Sequence, residues 1–185
     1  MSKLQVYSLP NLMYYSNDFV LRRKCRDVSL EEIHSEWFRS LIFDMFETLY
    51  ADPSGVGLAA PQIGMSLRIV VIDVKQDAKK PLVLINPTYE PVGDEKAESN
   101  ETCLSVPLRS GKVMRYKSVR VHALDINGKP LELVGEKFLA NVFQHEIDHL
   151  DGILYIDRMD SLDDLTAHEG YANAMAGRAM RVFDI

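Results

Sequence analysis

The feature that most restricts this chain is the segment Gln144-His145-Glu146-Ile147-Asp148-His149. Two histidines four residues apart share one face of an α-helix, so both imidazoles can reach a single ion. Glu146 stands beside them, where it can act on water near that ion without being a ligand. Phe138 and Val142 lie on the same face in the two preceding turns. That face is therefore inward and partly apolar, and the helix needs a layer to bury it against. The pattern predicts a helix over 136–150, with Gly152 just past its end at a C-cap position.

The middle of the chain supplies that layer. Residues 67–74 (LRIVVIDV) are β-branched and almost continuously apolar, as in a buried strand. A second strand is expected over 81–86, stopped at Asn86-Pro87. Residues 112–126 alternate apolar and polar, as half-buried antiparallel strands do. Asn127-Gly128 is a hairpin signal, and 131–134 forms the return strand. Upstream, Ser29 and Glu32 form a capping box, followed by a stripe of Ile33, Trp37, Leu41, Met45 and Leu49. A single helix ending near Asp52-Pro53 is expected there. Residues 1–28 read as an N-terminal arm with a short helix, and 162–182 as a C-terminal helix that packs on the domain. The fold class expected is α+β, with mostly antiparallel sheets packed around the central histidine-bearing helix. The 185 residues form one domain, 1–185.

Charge excludes some functions. The chain has 21 Lys and Arg against 27 Asp and Glu, a net charge of −6. That argues against nucleic-acid binding driven by bulk charge. The uncharged run 54–67 is too short and too rich in Gly and Pro to span a bilayer, so no membrane partner is expected. No secretory signal is visible, and two cysteines make no disulfide framework. A reduced, cytoplasmic setting is the expectation.

Two histidines do not complete a metal site with an open position, which commonly takes three protein ligands. Three residues compete for the third place. Tyr155 stands where an extended motif has its third histidine, but is a poor ligand. Glu169 would give the His₂Glu set of metallopeptidases. Cys103 would supply a thiolate. Spacing alone leaves the choice open.

Three separated segments together resemble the peptide deformylases. They are Gly55-Val-Gly57-Leu-Ala-Ala-Pro-Gln62, Glu101-Thr-Cys103-Leu-Ser105 and Gln144-His-Glu-Ile-Asp-His149. The family's patterns are GxGxAAxQ, EGCLS and QHExDH, in that order. The resemblance implies a hydrolase that removes the formyl group from N-formylmethionyl peptides. It implies Cys103, His145 and His149 as metal ligands and Glu146 as the acid/base. Gln62 and the backbone N–H of Leu104 become oxyanion donors. One divalent metal ion is implied, Fe²⁺ in the cell, with Zn²⁺, Ni²⁺ or Co²⁺ as substitutes. The ribosome enters as a candidate partner, and the bacterial cytoplasm as the setting.

Val56, Phe138 and Val142 are candidates for the pocket that takes the methionine side chain. Gly57 is read as the place where an extended substrate approaches main chain. The sequence departs from the family pattern at Thr102, where Gly is usual. If that backbone needs a positive φ, a β-branched residue would be strained. A non-catalytic metal-binding or peptide-binding relative is the contrasting reading. Asn141 and Ser110 replace arginines common in relatives, which bears on the distal part of the peptide.

Overall fold

The computed structural model describes residue 6 and residues 20–74 and 81–167. Helix α1 spans Leu30–Ile33 and α2 spans Glu36–Tyr50. Eight strands follow: β1 (Gly57–Ala59), β2 (Ile69–Ile72), β3 (Leu82–Pro91), β4 (Lys96–Cys103), β5 (Val106–Tyr116), β6 (Ser118–Leu124), β7 (Pro130–Glu136) and, after helix α3 (Lys137–Leu150), β8 (Thr166–Ala167). A five-stranded sheet has the order β1-β2-β3-β6-β7, and a three-stranded sheet the order β4-β5-β8. Every strand pairing in both sheets is antiparallel. Helix α3 packs against strands of both sheets.

Two cores flank the larger sheet. Strands alternate their side chains, so the four buried residues of β2 serve both faces. Ile69 and Val71 join Phe38, Leu41, Met45 and Leu49 of α2. Val70 and Ile72 join Val142, Phe143 and Ile147 of α3. Each such side chain contributes about 1.5–3 kcal/mol on burial. The α3 seat is also polar. The Gln144 side chain accepts from Tyr116 N and donates to Tyr116 O, pairing with the end of β5 as a neighbouring strand would.

The expected single first helix is two. The Ser35 side chain accepts from Phe38 N and starts α2 afresh, which rotates the buried stripe. Phe38 becomes fully buried and Trp37 is left half exposed. The capping box at Ser29 and Glu32 is formed, but caps only α1.

The second expected strand runs on past Pro87 to Pro91. Asn86 has φ +52, and the β3–β6 register shifts between Ile85 and Thr88. The Asn86 amide bonds Val28 N and O, so the chain absorbs the irregularity without ending the strand. The expected run 112–126 is divided between sheets, β5 in the smaller and β6 in the larger. The Asn127-Gly128 turn joins β6 to β7 as expected, with Gly128 at φ +75 and Asp125 Oδ1 accepting from Asn127 N and Lys129 N.

The expected C-terminal helix does not start at 162. Ser161 caps one 3₁₀ turn, Leu162–Asp164, and Thr166–Ala167 then pairs with β5. Residues 168–185, including Glu169 and most of the expected C-terminal helix, lie outside the described residues, as does most of the N-terminal arm. Within that arm a 3₁₀ turn forms at Val20–Arg22.

Gly152 follows α3 in the left-handed region at φ +75, and a Cβ there would lie 2.7 Å from the Arg22 backbone. This close approach ties the arm to the end of α3, beside the Cys25 N to Leu150 O bond of 2.8 Å. Gly152→Ala should destabilise the protein by about 2–4 kcal/mol, through left-handed strain and overlap together. Urea unfolding of the two proteins measures it; equal midpoints would refute the close packing. Cys25 is buried in this region, and burial pushes its thiol up to about 11, so it stays protonated near neutrality.

Candidate metal centre

Three donor atoms converge where α3 meets the end of β4. Cys103, His145 and His149 each offer one ligand atom, all within 4.8 Å of one another. Cys103 Sγ lies 3.3 Å from His149 Nε2. The helix supplies the two imidazoles one turn apart, and β4 turns Cys103 toward them. Cys103 is 7% exposed and His149 1%.

The environment of these donors suits a cation. His145 Nδ1 is engaged by Glu101 Oε2 at 2.7 Å, which leaves Nε2 for the cluster. Burial opposes charge on His145, but hydrogen bonds to Cys103 and Glu101 outweigh it and hold the group well above the ordinary histidine value. The pocket between that sulfur and that carboxylate thus favours positive charge. Burial, and then the neighbouring His145, hold His149 well below the ordinary value, in the neutral form that ligates. A thiolate with two imidazoles is a donor set for a borderline-soft divalent ion. The residues fit a metal.

Glu146 is 5% exposed, and its Oε2 has no hydrogen-bond partner among the described residues. Burial, with a smaller push from Glu101 against the pull of His145, moves its carboxyl up to about 7. A group at that value exchanges protons readily near neutral pH. Its carboxylate occupies the space over Gly57, where a Cβ would lie 2.5 Å from Glu146 Oε1.

Gln62 comes from the 3₁₀ turn Ala60–Ile63 that follows β1. Its Oε1 accepts from Ala59 N at 2.8 Å. That bond fixes the amide and aims Nε2 at Cys103 Sγ, 3.6 Å away, and Ser105 Oγ, 3.3 Å away. Leu104 is half-buried at the same rim. One pocket is lined by Val56, Gly57, Gln62, Cys103, Leu104, Phe138, Val142, His145 and Glu146. Every site residue the family resemblance implies lines it except His149, which is 1% exposed. Val142 is buried as expected, whereas Phe138 is 55% exposed and stands at the mouth.

Other expectations resolve individually. Thr102 is outside the positive-φ residues and pairs with Ser110 just before the register shift at Cys103, so the left-handed strain expected of a β-branched residue does not arise. Asn141 lines the pocket and donates to Ser99 Oγ at 3.0 Å. Ser110 is 4% exposed, bonds Thr166 of β8 and is not among the residues lining that pocket. Tyr155 is no ligand: its ring stacks on His145 with centroids 6.2 Å apart, and its hydroxyl donates to Arg109 O.

The reading of the sequence missed Arg115. Its Nε donates to Glu101 Oε1 at 2.8 Å, and a second terminal nitrogen to Glu101 Oε2 at 3.0 Å. The third nitrogen reaches Asp148 Oδ2 at 2.6 Å. The signal available was an arginine at an inward position of an alternating strand, where an apolar residue is the rule.

A family model described as polypeptide deformylase matches residues 10–164. A peptide deformylase of Stutzerimonas stutzeri is 46% identical over 131 residues, covering 71% of this chain and 77% of that protein. One of Chromohalobacter salexigens is 42% identical over 162 residues, 88% of this chain and 89% of that protein. The crystal structure of a peptide deformylase from Legionella pneumophila superposes with a TM-score of 0.75 at 41% identity, covering 88% of this chain and 89% of that one. A second, from Synechococcus elongatus in complex with actinonin, has a TM-score of 0.74 at 36% identity, covering 87% of this chain and 81% of that one.

Proposed function

The chain belongs to the polypeptide deformylase family, and from that membership we propose that it hydrolyses the formyl group from N-formylmethionyl peptides, releasing formate and a free N-terminal Met. The observation that carries this reading is the convergence of Cys103, His145 and His149 with Glu146 buried beside them. Cys103, His145 and His149 hold one divalent ion. When bound, that ion supplies Lewis acidity to water and to the formyl carbonyl.

The remaining chemistry falls to the chain's own groups. Glu146 takes a proton from the attacking water and delivers it to the departing amine nitrogen. As negative charge grows on the formyl oxygen, Gln62 Nε2 and the Leu104 backbone N–H donate to it. The Ala59 bond to Gln62 Oε1 supports this assignment, since it keeps the acceptor end of the amide turned away. Val56, Val142 and, at the mouth, Phe138 enclose the methionine side chain.

β1 is an edge strand, and Gly57 lines the pocket, so the extended substrate adds alongside β1 as a further strand. Gly57 has a second role, because a Cβ there would displace the Glu146 carboxylate. Gly57→Ala should therefore lower kcat at least about tenfold, as misplacement of a proton-transfer group does. Steady-state kinetics on a formyl-Met dipeptide measure it. A rise in KM with kcat unchanged would leave only the strand-pairing role.

The donor set suits Fe²⁺, Zn²⁺, Co²⁺ and Ni²⁺, and we assign iron as the metal in the cell. Anaerobic purification, metal analysis and a formate-release assay test the whole reading together. Zinc as the tightly bound native metal, with activity stable in air, would overturn the assignment of iron. No helix among the described residues is long and apolar enough to cross a membrane. A nascent peptide substrate implies a setting in the bacterial cytoplasm near the ribosome.

A further inference from the structure

A line of charged side chains runs from the candidate metal centre to the surface. His145 Nδ1 meets Glu101 Oε2 at 2.7 Å, and Arg115 grips both oxygens of Glu101. Arg115 also donates to Asp148 Oδ2 at 2.6 Å, and Asp148 in turn accepts from Arg158 at 2.7 and 3.2 Å. Glu101, Arg115 and Asp148 are 7%, 3% and 3% exposed, whereas the Arg158 side chain is 41% exposed.

Burying these groups is costly in isolation, and a buried ion-pair chain is often no more stable than apolar residues of the same volume. Stability alone therefore gives weak reason for a guanidinium at this position. The geometry gives a stronger one. Glu101 stands on β4, Arg115 on β5, and His145 and Asp148 on α3, one turn apart. Arg115 therefore reaches α3 twice, through Glu101 at His145 and directly at Asp148. Its planar fork permits only a narrow placement of the Glu101 carboxylate. That carboxylate sets which imidazole nitrogen of His145 carries the proton and how the ring is turned.

We propose that Arg115 is a positioning residue for the metal site: by clamping Glu101 between itself and His145, and by anchoring on Asp148, it fixes the tautomer and ring orientation of His145. This rests on the assignment of Cys103, His145 and His149 as the ligands. Partners of metal-bound histidines typically change metal affinity by about 10–100-fold when removed.

The test loads the intact protein with Co²⁺, which reports its ligand geometry through visible absorption. Affinity is measured by competition with a chromogenic chelator, and kcat and KM on a formyl-Met dipeptide. Arg115→Met should weaken Co²⁺ about 10–100-fold, shift the visible bands and lower kcat with KM nearly unchanged. Arg115→Lys should fall between, since it keeps the charge and loses the fork. Arg115→Met takes one partner from each of the buried carboxylates Glu101 and Asp148, so it can fail to fold. The double variant Glu101→Gln with Arg115→Met removes one charge of each sign and retains an acceptor for His145. It should fold and still show the weakened affinity and shifted bands. Wild-type affinity and spectrum in the folded double variant would overturn the role of Arg115. Failure of the wild-type protein itself to bind Co²⁺ would overturn the ligand assignment, and this role with it.

Discussion

Glu146→Gln should reduce formate release from a formyl-Met dipeptide by roughly two to four orders of magnitude while the bound metal stays at the wild-type level. The two halves of that expectation come from different observations. The metal half follows because Glu146 is absent from the converging donor atoms, which are those of Cys103, His145 and His149. The rate half follows from where its carboxyl sits. Burial carries it to about 7, and Oε2 has no hydrogen-bond partner among the described residues. Glutamine keeps the shape and the room over Gly57 but cannot accept or return a proton. Fold and pocket should therefore survive, and KM should change little. Paired metal analysis and formate assays check both halves. Loss of metal with loss of rate would make Glu146 a structural support of the site. Retained activity would assign the proton transfer to another group.

The parts of this site differ in how plainly the sequence announces them. His145, Glu146 and His149 are legible because a helix imposes a fixed geometry on residues four apart. The α2 core was largely legible for the same reason of periodicity, apart from one slip. Ser35 restarts the helix, and a serine within a charged stretch looks like any surface residue until its hydroxyl is found on Phe38 N. β4 was invisible for a more instructive reason. Lys96–Cys103 contains almost no apolar side chain, and its two buried positions are Glu101 and Cys103. A strand is recognised by the hydrophobic face it buries, and here that face carries Cys103 of the candidate metal centre and Glu101 beside it. Arg115 went unseen with it, because its partner Glu101 lay on a strand not predicted. Where function takes over core positions, the pattern that reveals structure is erased. The resemblance to a known family restored Cys103, but motif matching says nothing of residues outside the motifs, and Arg115 is one.

Cys103→Ala should abolish stable metal binding and lower formate release at least about a thousandfold, because two imidazoles alone do not make a catalytic site for a divalent ion. The substitution is small, and Ala is tolerated sterically at a 7%-exposed strand position. What it removes is the sulfur donor. Cys103 Sγ lies 3.3 Å from His149 Nε2 and accepts from Ser105 N at 3.4 Å, so the sulfur is already seated beside the imidazole it would share an ion with. Chelation of the wild-type protein should produce the same loss, and added Fe²⁺ or Zn²⁺ should restore the wild type but not the variant. The experiment also decides between the two ligand sets that spacing left open. A His₂Glu site would keep its metal in Cys103→Ala and lose it in Glu169→Ala. The distance from Cys103 to both imidazoles, and the positive charge favoured between Cys103 and Glu101, point to the opposite result. Circular dichroism of the metal-free variant separates a lost ligand from a lost fold, since α3 is held by Phe143, Ile147 and the Gln144 bonds to Tyr116, none of which involves the sulfur.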